Sequence, residues 1–95
     1  MVTLQEYIDG FTEKYGEDKK KWAVVCPICG CVQTVQDFMN TGMKPEKCME
    51  FWGFSCIGRY NSKLGCDYTL GGLITVGHQK IKTDDGRIAK RFFMA

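Results

Sequence analysis

The sequence predicts an α+β fold: one small domain with an N-terminal helix, a thiol-bearing β-hairpin, one or two short helices and a C-terminal β-hairpin. Three observations predict it. Leu4, Tyr7, Ile8, Phe11 and Tyr15 recur at helical spacing. Cys26-Pro27-Ile28-Cys29-Gly30 is a tight turn carrying two thiols. Apolar and polar residues alternate before Asp84-Asp85-Gly86, a strong turn signal, and a second strand-like run follows it.

Taken in order, Thr3 and Glu6 form a capping-box pair that opens a helix over about 3–16. Gly10 weakens that helix, and Gly16 suits its end. Glu17-Asp18-Lys19-Lys20-Lys21 reads as a solvated connector in which two acids offset three lysines. Trp22-Ala23-Val24-Val25 is a short strand that delivers the first thiol pair, and Val32-Gln33-Thr34 is its return. Thr34 and Asp37 cap a short helix through Val35, Phe38 and Met39, which stops near Asn40-Thr41-Gly42. Pro45 begins another, with Cys48, Phe51 and Trp52 on one side. Beyond the glycine-bearing bend Thr69-Leu70-Gly71-Gly72-Leu73, the residues Ile74, Val76, His78 and Lys80 alternate with Thr75, Gly77 and Gln79. Ile88-Ala89-Lys90-Arg91-Phe92-Phe93-Met94 returns as the second strand of the terminal hairpin.

Ninety-five residues make a single domain, 1–95, with a core over about 22–95; at this size a metal staple adds useful stability. An apolar share of 44% and a charged share of 25% are ordinary for a globular protein, and no apolar run reaches the length of a membrane span. A net charge of +2 is too small to argue for nucleic acid. Met1-Val2-Thr3-Leu4-Gln5-Glu6 carries neither a basic leader nor an apolar targeting core, so a cytoplasmic location is expected.

The thiols carry the chemistry. Two cysteines separated by two residues fold back so that both sulfurs face one ion at about 2.3 Å, and four thiolates form a common structural zinc shell. Pro27 stiffens the start of the turn and Gly30 lets the backbone leave it, while main-chain N–H groups stabilise the thiolates. Cys56 and Cys66 each lie at the edge of a turn-forming stretch, and a short hairpin loop brings them together. Cys26, Cys29, Cys56 and Cys66 are therefore the expected ligands of one structural zinc ion, making the fold a zinc-stapled domain with a zinc-knuckle β-hairpin. Cys31 reads instead as a small buried strand residue and Cys48 as a helix residue that is buried or exposed. His78, the one histidine, reads as a strand side chain. A disulfide framework is the alternative for all six cysteines, opposed by the two-residue spacing.

The segments Val25 to Gly30, Val32-Gln33, Asp37-Phe38, Phe54 to Arg59, Gly65 to Leu73 and Asp84-Asp85-Gly86 resemble a family of small zinc-ribbon-like bacteriophage and prophage proteins. That resemblance implies the same four ligands, a bacterial host cell, and a role exerted by binding a host protein. The chain is also similar to zinc-containing anti-CRISPR inhibitors, which implies blocking of guide or target DNA engagement by a type II RNA-guided nuclease. Channels of that kind are positively charged, so Glu46, Glu50, Asp67, Asp84 and Asp85 are candidate contacts, whereas Arg59, Lys63, Arg87, Lys90 and Arg91 suit an acidic patch. The alternative is a nucleic-acid-binding zinc ribbon that gathers Lys19-Lys20-Lys21, Arg59, Lys63, Lys80, Lys82, Arg87, Lys90 and Arg91. An enzyme is not expected, because four thiolates close the metal shell and no motif pairs His78 with a nucleophile.

Overall fold

The computed structural model describes residues 1–61, 63–72 and 77–95. Ser62, Leu73, Ile74, Thr75 and Val76 lie outside the described residues, so the expected strand start at Ile74 and Val76 and the end of the glycine-bearing bend lie outside them too. Helix α1 spans Leu4–Tyr15 behind the expected capping box: the Glu6 N–H donates to Thr3 Oγ1 at 3.1 Å, and the Thr3 N–H donates to Glu6 Oε1 at 3.0 Å. Gly16 ends it at φ +86°, donating its N–H to the Thr12 carbonyl. Helix α2, Val35–Met39, has a second capping box from Thr34 and Asp37, and α3, Pro45–Phe51, begins on its proline. A five-residue helix satisfies few of its own N–H groups, so its cap matters. Thr34→Ala is expected to lower stability by about 1 kcal/mol, which a thermal melt reads as a midpoint loss of about 4–8 °C.

Two small sheets frame these helices. Strand β1, Val2–Thr3, runs parallel to β4, His78–Lys82, which pairs antiparallel with β5, Ile88–Phe92, through the expected Asp84-Asp85-Gly86 turn. Strand β2, Ala23–Val25, pairs antiparallel with β3, Val32–Thr34. The chain leaving β5 then crosses to β2, where the Val25 N–H meets the Phe93 carbonyl at 3.1 Å and the Ala95 N–H meets the Ala23 carbonyl at 3.0 Å. Phe11, Trp22, Val24, Phe38, Trp52, Ile57 and Phe92 fill the core beneath. The stripe of α1 delivers Phe11 to this core, stacked on Trp22 at 5.3 Å and tilted on Trp52 at 5.2 Å. Burial of apolar side chains of this size, each about 1.5–3 kcal/mol, is what holds α1 against the sheets. Among the described residues no helix is long and apolar enough to cross a membrane.

The expected packing needs two corrections. Cys31 is only half-buried, because β3 begins one residue later and its inward position falls on Gln33, which is fully buried. Arg91 does not join a solvent-facing basic group. It is half-buried, its Nη1 donates to the carbonyls of Glu50 and Trp52 at 3.0 Å each, and its guanidinium lies 5.8 Å from the Phe54 ring centre. The carbonyls ending α3 attract a cation there.

Candidate metal centre

The first half of the site is the loop between β2 and β3. The Gly30 N–H closes back on the Cys26 carbonyl at 3.0 Å and the Cys26 N–H on the Cys31 carbonyl at 3.1 Å, with Gly30 at φ +73°. That left-handed conformation is open to glycine at little cost, and it brings Cys29 round to face Cys26. Pro27 packs against Gly77, where a β-carbon would collide with the proline ring.

The second half is a hairpin-like pairing of residues 54–56 with 68–70. The Leu70 N–H meets the Phe54 carbonyl at 2.9 Å and the Cys56 N–H meets the Tyr68 carbonyl at 2.8 Å, while Ser55 and Thr69 share a hydroxyl hydrogen bond of 2.8 Å. This ladder sets Tyr68 opposite Cys56 and brings Cys66 beside it, the Cys66 N–H donating to Cys56 Sγ at 3.2 Å. Gly58 sits against the Cys66 main chain, where a β-carbon would overlap the Cys66 carbonyl and amide.

The two halves meet at four sulfurs. Cys26, Cys29, Cys56 and Cys66 place their Sγ atoms within 4.8 Å of one another, with Cys26 to Cys66 at 3.7 Å and Cys29 to Cys56 at 3.8 Å. An ion about 2.3 Å from each of four tetrahedral sulfurs sets edges of about 3.8 Å, so the cluster can hold a metal ion with small adjustment. All six cysteines are free thiols, and these pairs are too far apart for disulfides. Cys48 is buried on α3 with its thiol turned to the Met43 carbonyl, and both Cys48 and Cys31 stand outside the cluster. His78 opens β4 as a strand side chain and is not part of the cysteine cluster.

Main-chain N–H groups address the sulfurs in a repeating way: Ile28 and Cys29 at Cys26, Gly58 and Cys66 at Cys56, and Tyr68 at Cys66. Burial pushes the Cys26 thiol up to about 12, and burial raises Cys66 as well. Burial also acts upward on Cys56, but the Cys66 and Gly58 N–H groups, the Cys29 thiol and the Gln33 amide outweigh it and hold that thiol below the ordinary range. Cys56 is thus, of these three, the sulfur whose proton leaves most readily, and a bound cation would supply the charge that lets Cys26 and Cys66 lose theirs.

Gln33 was not among the expected site residues. Its Nε2 donates to Cys56 Sγ at 3.1 Å, and its Oε1 accepts from the Ile57 N–H at 3.0 Å. The signal was present: Gln33 lies two places after Cys31, so the strand alternation that turns Cys31 inward turns Gln33 inward as well. Gln33→Leu removes the thiolate donor and strands a buried N–H at a cost of about 1–3 kcal/mol. We expect metal affinity to fall about 10–100-fold, read by competition with a chromophoric chelator.

The VVA0879-like family model matches residues 3–95. The chain belongs to the VVA0879-like family. No match was found among curated proteins or solved structures. The match runs from the capping box of α1 through the stretch that stitches the two sheets, so all four clustered cysteines of this VVA0879-like chain fall within it.

Proposed function

We propose that this protein is a non-enzymatic binding domain, stapled by one structural zinc ion and acting through its surface on a host protein. The observation that carries the reading is the four-sulfur cluster, all within 4.8 Å of one another and with two edges of 3.7 and 3.8 Å. Thiolates select soft or borderline ions, and zinc with four sulfurs is a closed structural centre without an open position for substrate. Around the two loops, Ile28 and Leu64 are 55% and 44% exposed, which places apolar contact area beside a rigid ion. The resemblance to anti-CRISPR inhibitors makes a type II RNA-guided nuclease the first partner to test. Glu46, Glu50, Asp67, Asp84 and Asp85 are all exposed and stand as candidate contacts, although Asp85 also pairs with Arg87 and Glu50 with Lys47.

A second reading, nucleic-acid binding, is favoured by one feature of the terminal hairpin. Lys80 stands directly opposite Lys90, with exposed Lys82 on the same face, and like charges so placed repel. The experiment combines metal analysis of reductively purified protein, nuclease pull-down and DNA-cleavage assays, and gel shifts across a salt series. Stoichiometric zinc, dose-dependent loss of cleavage and weak salt-sensitive DNA binding support the proposal. Tight, steeply salt-dependent DNA or RNA binding without nuclease capture favours the second reading, and absence of zinc overturns both.

A further inference from the structure

A groove of about 310 Å³ opens between α1, Trp22, Trp52 and the β4–β5 sheet, apart from the four sulfurs. Its floor is aromatic and rigid: Phe11, Trp22 and Trp52 are 1%, 4% and 5% exposed, and Tyr7 meets Phe11 edge-on at 4.9 Å. Leu4, Ile8, Ile81 and Ala89 form apolar walls. A concave, mostly apolar space of this size with a few polar groups is the usual form of a small-molecule site.

Charge identifies the occupant. Among the described residues the charged ones lining the groove are Lys19 and Arg91, both cationic, and no carboxylate lines it. Lys19 is exposed and holds its ammonium 6.0 Å from the Trp22 ring centre. The half-buried Arg91 uses Nη1 on the Glu50 and Trp52 carbonyls, and among the described residues it has no ion pair and no hydrogen bond from Nε or Nη2. The nearby Glu50 carboxylate is turned to Lys47 at 3.3 Å. A guanidinium withdrawn from water without a counter-ion is costly, and an incoming anion relieves that cost. We infer that this groove binds a small organic anion: an apolar body held between Leu4, Ile8, Met49 and Ala89 above the buried rings, with a carboxylate or sulfonate at Arg91 and Lys19.

The test uses two dyes that differ in the anionic group, 8-anilinonaphthalene-1-sulfonate and uncharged N-phenyl-1-naphthylamine. Each is titrated into the full-length, metal-loaded, isotope-labelled chain. The expected result is saturable one-to-one binding of the sulfonate, about tenfold tighter than the neutral dye, as a charge-assisted hydrogen bond supplies. Shift changes should centre on the Trp22 and Trp52 indole N–H signals and on Tyr7. Arg91→Met should bring the two dyes to near parity. Should Arg91→Met fail to fold, Lys19→Gln, on an exposed residue, carries the same test with a smaller loss. Met49→Trp, at the mouth where Met49 is 41% exposed, should weaken both dyes together. Equal binding of the two dyes to the wild type, shift changes centred on Ile28, Ile88 or Phe93, or an unchanged preference in the charge variants would overturn the inference. So would a groove that takes up only a segment of a partner protein and neither dye.

Discussion

Cys56→Ser is expected to abolish the cooperative thermal transition of this domain and its metal content together. Cys56 is fully buried, and it receives N–H groups from Cys66 and Gly58 and the amide of Gln33. A structural zinc ion contributes about 10 kcal/mol or more to folding, whereas a domain's whole stability is about 5–15 kcal/mol. Loss of one thiolate from such a shell therefore removes most of what holds the two loops together. A strong chelator on the unaltered protein should produce the same state, and restored zinc should reverse it. Cys31→Ser is the control: Cys31 is half-buried at the edge of the core, outside the cluster, and its thiol faces the Val32 carbonyl. Its melt should stay close to that of the parent. A Cys56→Ser protein that melts at the parent's temperature with a full complement of zinc would refute the metal assignment.

Gly58→Ala is expected to be strongly destabilising, although it removes no sulfur from the cluster. The added methyl would lie on the main chain of Cys66 and against the Leu64 carbonyl, and backbone held between Cys56 and Cys66 has little freedom to retreat. Overpacking of this severity costs about 3 kcal/mol, a midpoint loss of about 12–24 °C for a chain of this size. Gly10→Ala supplies the contrast. It lies within α1, nothing approaches the added methyl within 4 Å, and alanine in a helix interior gains about 0.8–1.0 kcal/mol over glycine. Differential scanning calorimetry of the two variants should move in opposite directions. A Gly58→Ala melt unchanged from the parent would show that the Cys66 loop is looser than its packing indicates.

What was legible in the chain was local chemistry. Thr3 with Glu6, Thr34 with Asp37, Pro45 and Asp84-Asp85-Gly86 each place an element boundary through a short-range hydrogen bond or a fixed dihedral, and each stands where expected. The four clustered thiols were legible because turn residues surround each of them. What was not legible depends on partners distant in sequence. Strand β1 has two residues, too few to show alternation, and its pairing with β4 is fixed by where α1 packs. Alternation turns Gln33 inward, but its bond to Cys56 follows from the Val24 register and the arrival of Cys56, neither of which a strand of three residues announces. Arg91 looked like a solvent cation because nothing nearby in sequence shows that the end of α3 will present two carbonyls to it.

The crossing of residues 93–95 onto β2 also bears on the order of events during synthesis. All four clustered cysteines precede Phe93 in the chain, and the contacts that gather them do not involve residues 93–95, so the two thiol loops can close while β2 still lacks a neighbour on that side. Contacts between positions so remote in sequence form slowly. Until they form, that edge of β2 is an open invitation to other chains, and residues 93–95 are the segment that closes it.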